Sequence, residues 1–291
     1  MAGSSDRVRR RAREQYEAQR QARLAKQHRN RKRAGVGLAV LCVLGLIVGL
    51  TTVFVGGGSP AAAKKPSAKA SASASASATT SAAAVTEPAT HCTYTASSAG
   101  TVSKASLPPA TPDYKDAYTA SINTNLGPIK IDLANSKATC TVNSFVHLAS
   151  TNFWNNTQCH RVSDSGGLYM LQCGDPTSKA SEKLSCSSTT IGTGGPGYEF
   201  ANENLTGATY PAGTVAMANT GTADSNGSQF FLVFKNTSLP ASYTPFGTIT
   251  SGLNILQNVA KAGTTCTYSA GGGVPKEKVV INSVSIKKST A

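Results

Sequence analysis

The chain has 291 residues and a formal net charge of +14 at neutral pH, and this length is enough for one or two domains. The charge is uneven, because residues 1–33 carry twelve Lys and Arg against three acidic residues, whereas residues 89–291 carry thirteen against ten. The basic excess therefore describes the tail. Beside an apolar segment, such a tail is more typical of membrane topology and attraction to lipid than of nucleic-acid binding, so we expect no nucleic-acid partner.

An apolar segment follows the tail at residues 34–56. It contains no charged residue and is dominated by Val, Leu, Gly and Ala, and about 20 apolar residues span a bilayer as a helix. A basic flank places the N-terminus in the cytoplasm. The alternative is a cleaved signal peptide, with a cleavage site at residues 61–63, although its apolar core is usually only about 7–15 residues long. We favour a single-pass helix in the cell membrane, with the rest of the chain extracytoplasmic.

The next two regions differ sharply in composition. Residues 57–90 are rich in Ala and Ser. Such a composition cannot bury a core, so we predict a flexible, disordered linker. Residues 91–291 are predicted to form one globular domain, with an irregular Ser-, Thr- and Pro-rich lead-in to about residue 116.

Short strands dominate the pattern of the globular domain. Alternating apolar residues predict hairpins over residues 117–133 and 159–175. Single strands are predicted at residues 211–219, 229–234, 246–250 and 278–288. Helical spacing predicts helices over residues 139–153 and 251–263. Because strand and helix do not alternate regularly, this order favours a mainly β fold, an antiparallel barrel capped by two helices.

Six cysteines lie beyond the apolar segment: Cys92, Cys140, Cys159, Cys173, Cys186 and Cys266. An even number in an exported segment indicates disulfides, and six cysteines allow fifteen pairings. Cys159 and Cys173 flank the second predicted hairpin, near enough in register to be bonded. We predict that at least two of the six are bonded, with this pair favoured. No CxxC or HxxxH spacing occurs, so no metal site is predicted.

Arg161 is the single arginine beyond residue 33, where lysine occurs fifteen times. A lone arginine indicates a need for what lysine lacks, a planar set of fixed donors that stays charged when desolvated. Arg161 and Gln172 fall near opposite positions of the second hairpin, so both side chains are expected on one face. The alternative is a surface arginine on an edge strand, which is the commoner situation for this residue type.

Five short motifs follow one another between residues 117 and 286. They are His160-Arg-Val162, Tyr169-Met-Leu-Gln-Cys-Gly-Asp175, Gly194-Gly-Pro-Gly197, Met217-Ala-Asn219 and Asn226-Gly-Ser-Gln-Phe-Phe231. Each motif is weak alone, but together, in this order and at near-family spacing, they resemble the cyclophilin family of peptidyl-prolyl cis-trans isomerases. The resemblance implies an eight-stranded antiparallel barrel capped by two helices, and an isomerase that needs no cofactor.

The resemblance also assigns roles to individual residues. Arg161 takes the place of the catalytic arginine, with Gln172 as its catalytic neighbour. The implied substrate-binding residues are Tyr169, Met170, Ala218, Asn219, Gln229, Phe231, Leu239 and Tyr243. Three of these depart from the family pattern: Tyr169 stands where Phe is usual, Leu239 stands in place of a frequent Trp, and Tyr243 in place of the pocket His. The last two changes predict weak binding of cyclosporin-like ligands.

The predicted function is acceleration of X–Pro isomerisation in unfolded or exported proteins by a membrane-tethered, monomeric domain. An amide C–N bond has partial double-bond character, and its rotation barrier is about 18–20 kcal/mol. In the twisted transition state the prolyl nitrogen accepts a hydrogen bond, which Arg161 is expected to donate while Gln172 orients the carbonyl side. One alternative is a non-catalytic peptide-binding or chaperone module that uses the same groove. Another is a structural cell-surface domain, which would not need the pocket residues.

Overall fold

The computed structural model describes residues 88–98 and 105–289. The predicted basic tail, the predicted membrane helix at residues 34–56 and nearly all of the predicted linker lie outside the described residues. Within the part of the chain that is described, no helix is both long and apolar enough to cross a membrane.

The described residues form thirteen strands and two helices. The strands are β1 (Tyr94–Ala96), β2 (Ala117–Thr124), β3 (Gly127–Leu133), β4 (Thr157–Gln158), β5 (Arg161–Ser165), β6 (Leu168–Cys173), β7 (Tyr198–Phe200), β8 (Thr214–Met217), β9 (Phe230–Val233), β10 (Pro245–Ser251), β11 (Thr264–Thr267), β12 (Gly273–Pro275) and β13 (Val280–Ser289). The helices are α1 (Thr139–Ser150) and α2 (Leu253–Ala262). Both predicted helices and both predicted hairpins are present.

Eleven of the strands form one antiparallel sheet in the order β11-β12-β5-β6-β9-β8-β10-β3-β2-β13-β4. β1 and β7 pair separately. The prediction of a mainly β, antiparallel fold with two helices is therefore confirmed.

The prediction of a closed eight-stranded barrel is wrong, because the two ends of the sheet, β11 and β4, are not paired with each other. The reason lies at Cys159 and His160, which separate β4 from β5. Here the chain changes partners: the Cys159 N–H donates to the Val279 carbonyl at 2.9 Å, and the His160 N–H donates to the Gln172 carbonyl at 3.1 Å. Between β4 and β5 the two strands are therefore joined by the covalent chain and not by a strand ladder, and the sheet stays open there. The hairpin β11–β12, absent from the prediction, extends the sheet beyond β5.

The main core lies between one face of the sheet and the two helices. In β3 the alternate residues Ile129, Ile131 and Leu133 are buried, as a strand with one covered face requires. Helix α1 contributes Phe145, whose ring centroid lies 4.7 Å from that of Trp154. Full burial of each such apolar side chain stabilises the fold by about 1.5–3 kcal/mol.

Three disulfides join the six cysteines: Cys92–Cys140, Cys159–Cys173 and Cys186–Cys266. The favoured pair is therefore present. Its Cα atoms are 4.0 Å apart, which is closer than the usual span of about 4.4–6.8 Å. The third disulfide joins the segment at residues 178–190 to the edge strand β11, a pairing that the sequence did not predict.

Candidate active site

The two faces of β6 lead to different surroundings. Leu171 belongs to the main core, whereas its neighbours Met170 and Gln172 point to the opposite face, because successive side chains of a strand alternate. Direct register places Arg161 of β5 opposite Gln172 and Gln172 opposite Phe231 of β9. The three side chains therefore form one row across neighbouring strands, and the prediction that Arg161 and Gln172 share one face of the hairpin is confirmed.

A second, smaller apolar cluster covers this outer face, and we call it the pocket cluster. Its buried members are Met170, Tyr210, Ala216, Phe231 and Val233, and Leu168, Ala208, Ala218, Leu239 and Tyr243 pack against it half-buried. The sheet separates this cluster from the main core. An apolar patch of this kind, with a charged group beside it, is a typical ligand-binding arrangement.

Arg161 makes three hydrogen bonds through its guanidinium. Nε donates to the Gly271 carbonyl at 2.8 Å, Nη2 donates to the Ala270 carbonyl at 2.9 Å, and Nη1 donates to Oε1 of Gln172 at 3.3 Å. Burial lowers the pKa of Arg161 from its ordinary value, and this is partly offset by Tyr243 and Tyr268. A guanidinium has five N–H donors, so one on Nη1 and one on Nη2 remain beyond these three bonds.

A chain of amides continues from Arg161 across the site. Nε2 of Gln172 donates to Oε1 of Gln229 at 3.0 Å, and Nε2 of Gln229 donates to the carbonyls of Gly192 at 3.1 Å and Gly194 at 2.9 Å. Buried Asp175 holds the same glycine-rich segment, residues 192–197, because its carboxylate accepts from the Gly192 N–H. The amide orientation of Gln172 is therefore fixed at both ends.

His160 lies beside Arg161 in the chain and is only 2% exposed. Its Nδ1 is buried without a hydrogen-bond partner. Burial lowers the pKa of His160 to about 4, while the Asp175 carboxylate opposes the shift and the charge of Arg161 adds to it. The imidazole is therefore neutral at neutral pH.

One wall of the pocket cluster is the segment at residues 239–243. The buried Tyr210 hydroxyl has two carbonyls within reach of its single proton, that of Tyr243 at 2.9 Å and that of Pro240 at 3.2 Å, and it accepts from the Tyr243 N–H at 3.1 Å. Nδ2 of Asn219 donates to the Ser242 carbonyl at 2.8 Å. The Phe231 and Tyr243 rings meet edge to face, with centroids 5.7 Å apart.

Most of the predicted site residues lie around this row. Ala218 joins the pocket cluster, and its N–H donates to the Gln229 carbonyl at 2.9 Å. Tyr169 is the exception, because it lies on the core side of β6, half-buried against the main core. Its ring is 6.3 Å from that of Phe234, and Nζ of Lys235 lies 4.6 Å above it.

Sequence reasoning missed Tyr210 and the two carbonyls that hold Arg161. A tyrosine in an otherwise apolar setting signals a buried hydroxyl that needs a partner, but its partners stand 30 and 33 residues away along the chain. Backbone carbonyls carry no sequence signal at all. Among the described residues no group of three or more His, Cys, Asp or Glu side chains is placed to hold a metal ion.

A family model described as "Cyclophilin type peptidyl-prolyl cis-trans isomerase/CLD" matches residues 119–286. The chain belongs to this cyclophilin family. A Mycobacterium tuberculosis protein named "Probable peptidyl-prolyl cis-trans isomerase B" is 42% identical over 212 residues, which cover 67% of this chain and 63% of that protein. The chain thus matches less than two thirds of that relative's length.

Two further comparisons show lower sequence identity. A "Peptidyl-prolyl cis-trans isomerase" of Acinetobacter baylyi is 36% identical over 172 residues, covering 57% of this chain and 84% of that protein. A solved Cryptosporidium parvum cyclophilin-type isomerase has 26% identity and a TM-score of 0.46, covering 59% of this chain and 98% of that one.

Proposed function

We propose that this chain is a peptidyl-prolyl cis-trans isomerase that acts on X–Pro bonds of extended or unfolded polypeptides. The observation that carries the proposal is the row of Arg161, Gln172 and Phe231, which sets a fixed cation and a fixed amide beside an apolar cluster. A proline ring is apolar, and its amide is polar. The row offers a matching surface to each part.

Catalysis in this proposal is differential binding of the twisted amide. Rotation breaks the amide resonance, so the prolyl nitrogen regains a lone pair and becomes a hydrogen-bond acceptor. One of the remaining N–H groups of Arg161 donates to that nitrogen. The planar amide offers no such acceptor, so the bond forms only as the barrier is approached and lowers its height.

Gln172 and the pocket cluster supply orientation. Oε1 of Gln172 accepts from Arg161 and its Nε2 donates to Gln229, which leaves one Nε2 hydrogen for the peptide carbonyl. Phe231 and the half-buried Leu239 and Tyr243 offer an apolar surface to the proline ring. Proline-containing peptides are therefore the substrate class.

The protease-coupled isomerisation assay tests this function. It follows the rate at which the cis form of an X–Pro peptide becomes cleavable, since only the trans form is cut. We expect the chain to accelerate this phase without changing the cis-to-trans ratio at equilibrium. Peptide binding with no acceleration would instead support the alternative, a non-catalytic peptide-binding or chaperone module.

The proposed setting is the extracytoplasmic side of a cell membrane, where a monomeric domain acts on exported proteins. Two sequence features support it: the basic residues 1–33 and the uncharged residues 34–56. The three disulfides are also in keeping with an oxidising compartment, because cytosolic proteins rarely hold them.

A further inference from the structure

The guanidinium of Arg161 is docked on the protein itself. Nε and Nη2, which form one edge of the planar group, donate to two consecutive carbonyls, those of Gly271 and Ala270. Two parallel bonds along one edge fix the plane of a guanidinium as well as its position. Since Nη1 reaches Gln172, these carbonyls decide where the remaining N–H groups lie.

The two carbonyls belong to residues 268–272, which we call the docking turn. Within the turn, the Tyr268 N–H donates to the Gly272 carbonyl at 2.8 Å. The Tyr268 hydroxyl donates to the His160 carbonyl at 3.1 Å. Gly271 and Gly272 have φ values of +83° and +67°. A Cβ at Gly272 would lie 2.6 Å from the Val162 carbonyl oxygen, so this approach to β5 requires glycine.

The docking turn is held to the sheet by few backbone contacts. It connects β11 and β12, and β11 is the edge strand with β12 as its single neighbour. β12 in turn meets β5 through one register pair, Gly273 with Val162. The Cys186–Cys266 disulfide therefore stands out as a covalent tether, since Cys266 lies on β11 two residues before the turn.

We propose that the docking turn positions Arg161 for isomerisation and that the Cys186–Cys266 disulfide keeps the turn in place. This inference rests on the proposed function. When the hairpin loosens, the guanidinium loses the edge that fixes its plane, whereas Met170 and Phe231 keep their places in the sheet. Loss of the disulfide therefore lowers kcat more than it weakens peptide binding.

This disulfide also joins the least buried pair of cysteines among the three. Neither Cys186 nor Cys266 is buried, whereas each of the other two disulfides contains at least one buried cysteine. A dithiol reductant attacks one sulfur, passes two electrons to the bond and leaves two thiols, and is itself oxidised to a disulfide. We therefore expect mild reduction by such a dithiol to break the Cys186–Cys266 disulfide before the other two.

The first test compares two double variants of the full chain. Cys186→Ala/Cys266→Ala should lower kcat/KM by about 10- to 100-fold, the scale of a misplaced catalytic group, while affinity for a proline peptide stays within about twofold. Cys92→Ala/Cys140→Ala is the control for the loss of a disulfide as such, and its activity should match the parent. Equal activity of the two variants would contradict the proposal, as would a loss of affinity that parallels the loss of rate.

The second test strains the turn and leaves every disulfide in place. Gly271 is exposed, has no atom within 4 Å of an added Cβ and has a positive φ, and Gly166 in the β5–β6 turn shares all three properties. A valine disfavours such a conformation. Gly271→Val should lower kcat, whereas Gly166→Val, at the other end of the hairpin that carries Arg161, should not. If both variants lose rate equally, the docking turn is not a positioning element.

An NMR readout separates this inference from the proposed function. The Arg161 Nε–H signal, identified by its absence in Arg161→Lys, should exchange slowly with water in the parent. It should exchange at least about tenfold faster in Gly271→Val and in Cys186→Ala/Cys266→Ala, because the bond to Gly271 is lost. Unchanged exchange would overturn the positioning claim. If the parent chain lacks isomerase activity but the variants show this faster exchange of the Arg161 Nε–H, only the proposed function is overturned.

Discussion

At the scale of single residues, the site depends on polar groups fixed in a mostly apolar setting. Arg161 is paired through all three nitrogens, and Gln172 is held at both ends of its amide. Because these groups are ordered before a peptide arrives, little reorganisation is needed at the moment of reaction, which is the condition under which a donor stabilises a transition state most.

Leu239 is predicted to set the response to cyclosporin. It packs half-buried against the pocket cluster, at the place where the cyclophilin resemblance implies a frequent Trp. We expect weak inhibition of the isomerase by cyclosporin, measured as the concentration that halves the rate, and stronger inhibition of Leu239→Trp. Leu107→Trp serves as the control, since Leu107 is 53% exposed and outside the cluster. Strong inhibition of the parent would show that Leu239 does not occupy the Trp position.

His160 is predicted to make stability depend on pH. Its pKa is about 4 in the folded chain against 6.5 when unfolded, chiefly because of burial. The unfolded state therefore binds the extra proton as pH falls below about 6.5, so the free energy of unfolding decreases by up to about 1 kcal/mol per pH unit until about pH 4. Denaturant unfolding between pH 7 and 4 measures this slope. His160→Gln should flatten it, and substitution of the exposed His91 should not; an unchanged slope in His160→Gln would refute the assignment.

At the scale of elements, the strands carry the row of functional residues and the loops complete it. The register of β5, β6 and β9 brings Arg161, Gln172 and Phe231 into one row, and the docking turn then fixes the guanidinium of Arg161. The wall at residues 239–243 has no such ladder and is held by side-chain bonds from Tyr210 and Asn219. Loops held in this way are expected to open at lower free energy than the strands beside them.

Tyr210→Phe is predicted to loosen the wall at residues 239–243. The change removes the hydroxyl that hydrogen-bonds to the backbone of Pro240 and Tyr243, but it keeps the ring in the pocket cluster. Loss of these bonds should lower the free energy of unfolding by about 0.5–1.5 kcal/mol, the net contribution of a typical hydrogen bond, because the partners at Pro240 and Tyr243 are not fully buried. Peptide affinity should fall together with it, as measured by titration of a proline peptide. Normal affinity in a destabilised variant would mean that the wall does not contact the peptide.

Prediction from sequence succeeded where the signal was local. The hairpin of β5 and β6 follows from alternation and a glycine turn, and it brought Arg161 opposite Gln172 as expected. It failed where the signal was distant or absent. The carbonyls of the docking turn lie 109 and 110 residues from Arg161 along the chain, and every residue possesses a carbonyl. At Cys159 and His160 the backbone changes its hydrogen-bond partner from Val279 to Gln172. This change depends on tertiary packing, which local propensity does not encode.

At the scale of the whole molecule, three disulfides hold the domain together. Contacts between distant parts of the chain stabilise the domain. The Cys92–Cys140 disulfide joins the lead-in to α1, and Lys288 of β13 forms ion pairs with Asp113 and Asp116. Exposed ion pairs of this kind contribute little, whereas a disulfide typically contributes about 2–4 kcal/mol.

The predicted topology has residues 1–33 in the cytoplasm and residues 57–291 outside. Protease added to intact cells stripped of their wall should release the domain, and a tag on the N-terminus should survive until the membrane is permeabilised. The physical reason is the twelve basic residues before the apolar segment. Protection of the domain in intact cells would reverse the proposed orientation.

The most direct test of the central claim is the comparison of kcat/KM with peptide affinity in Arg161→Lys. Lysine keeps the charge but loses the planar edge, so kcat/KM should fall by about 10²–10³, or about 3–4 kcal/mol of transition-state stabilisation, while affinity for a proline peptide changes little. Phe231→Ala is the matched comparison, with its larger effect on affinity. If Arg161→Lys isomerises X–Pro bonds as fast as the parent, Arg161 is not the donor, and a peptide-binding module becomes the better account.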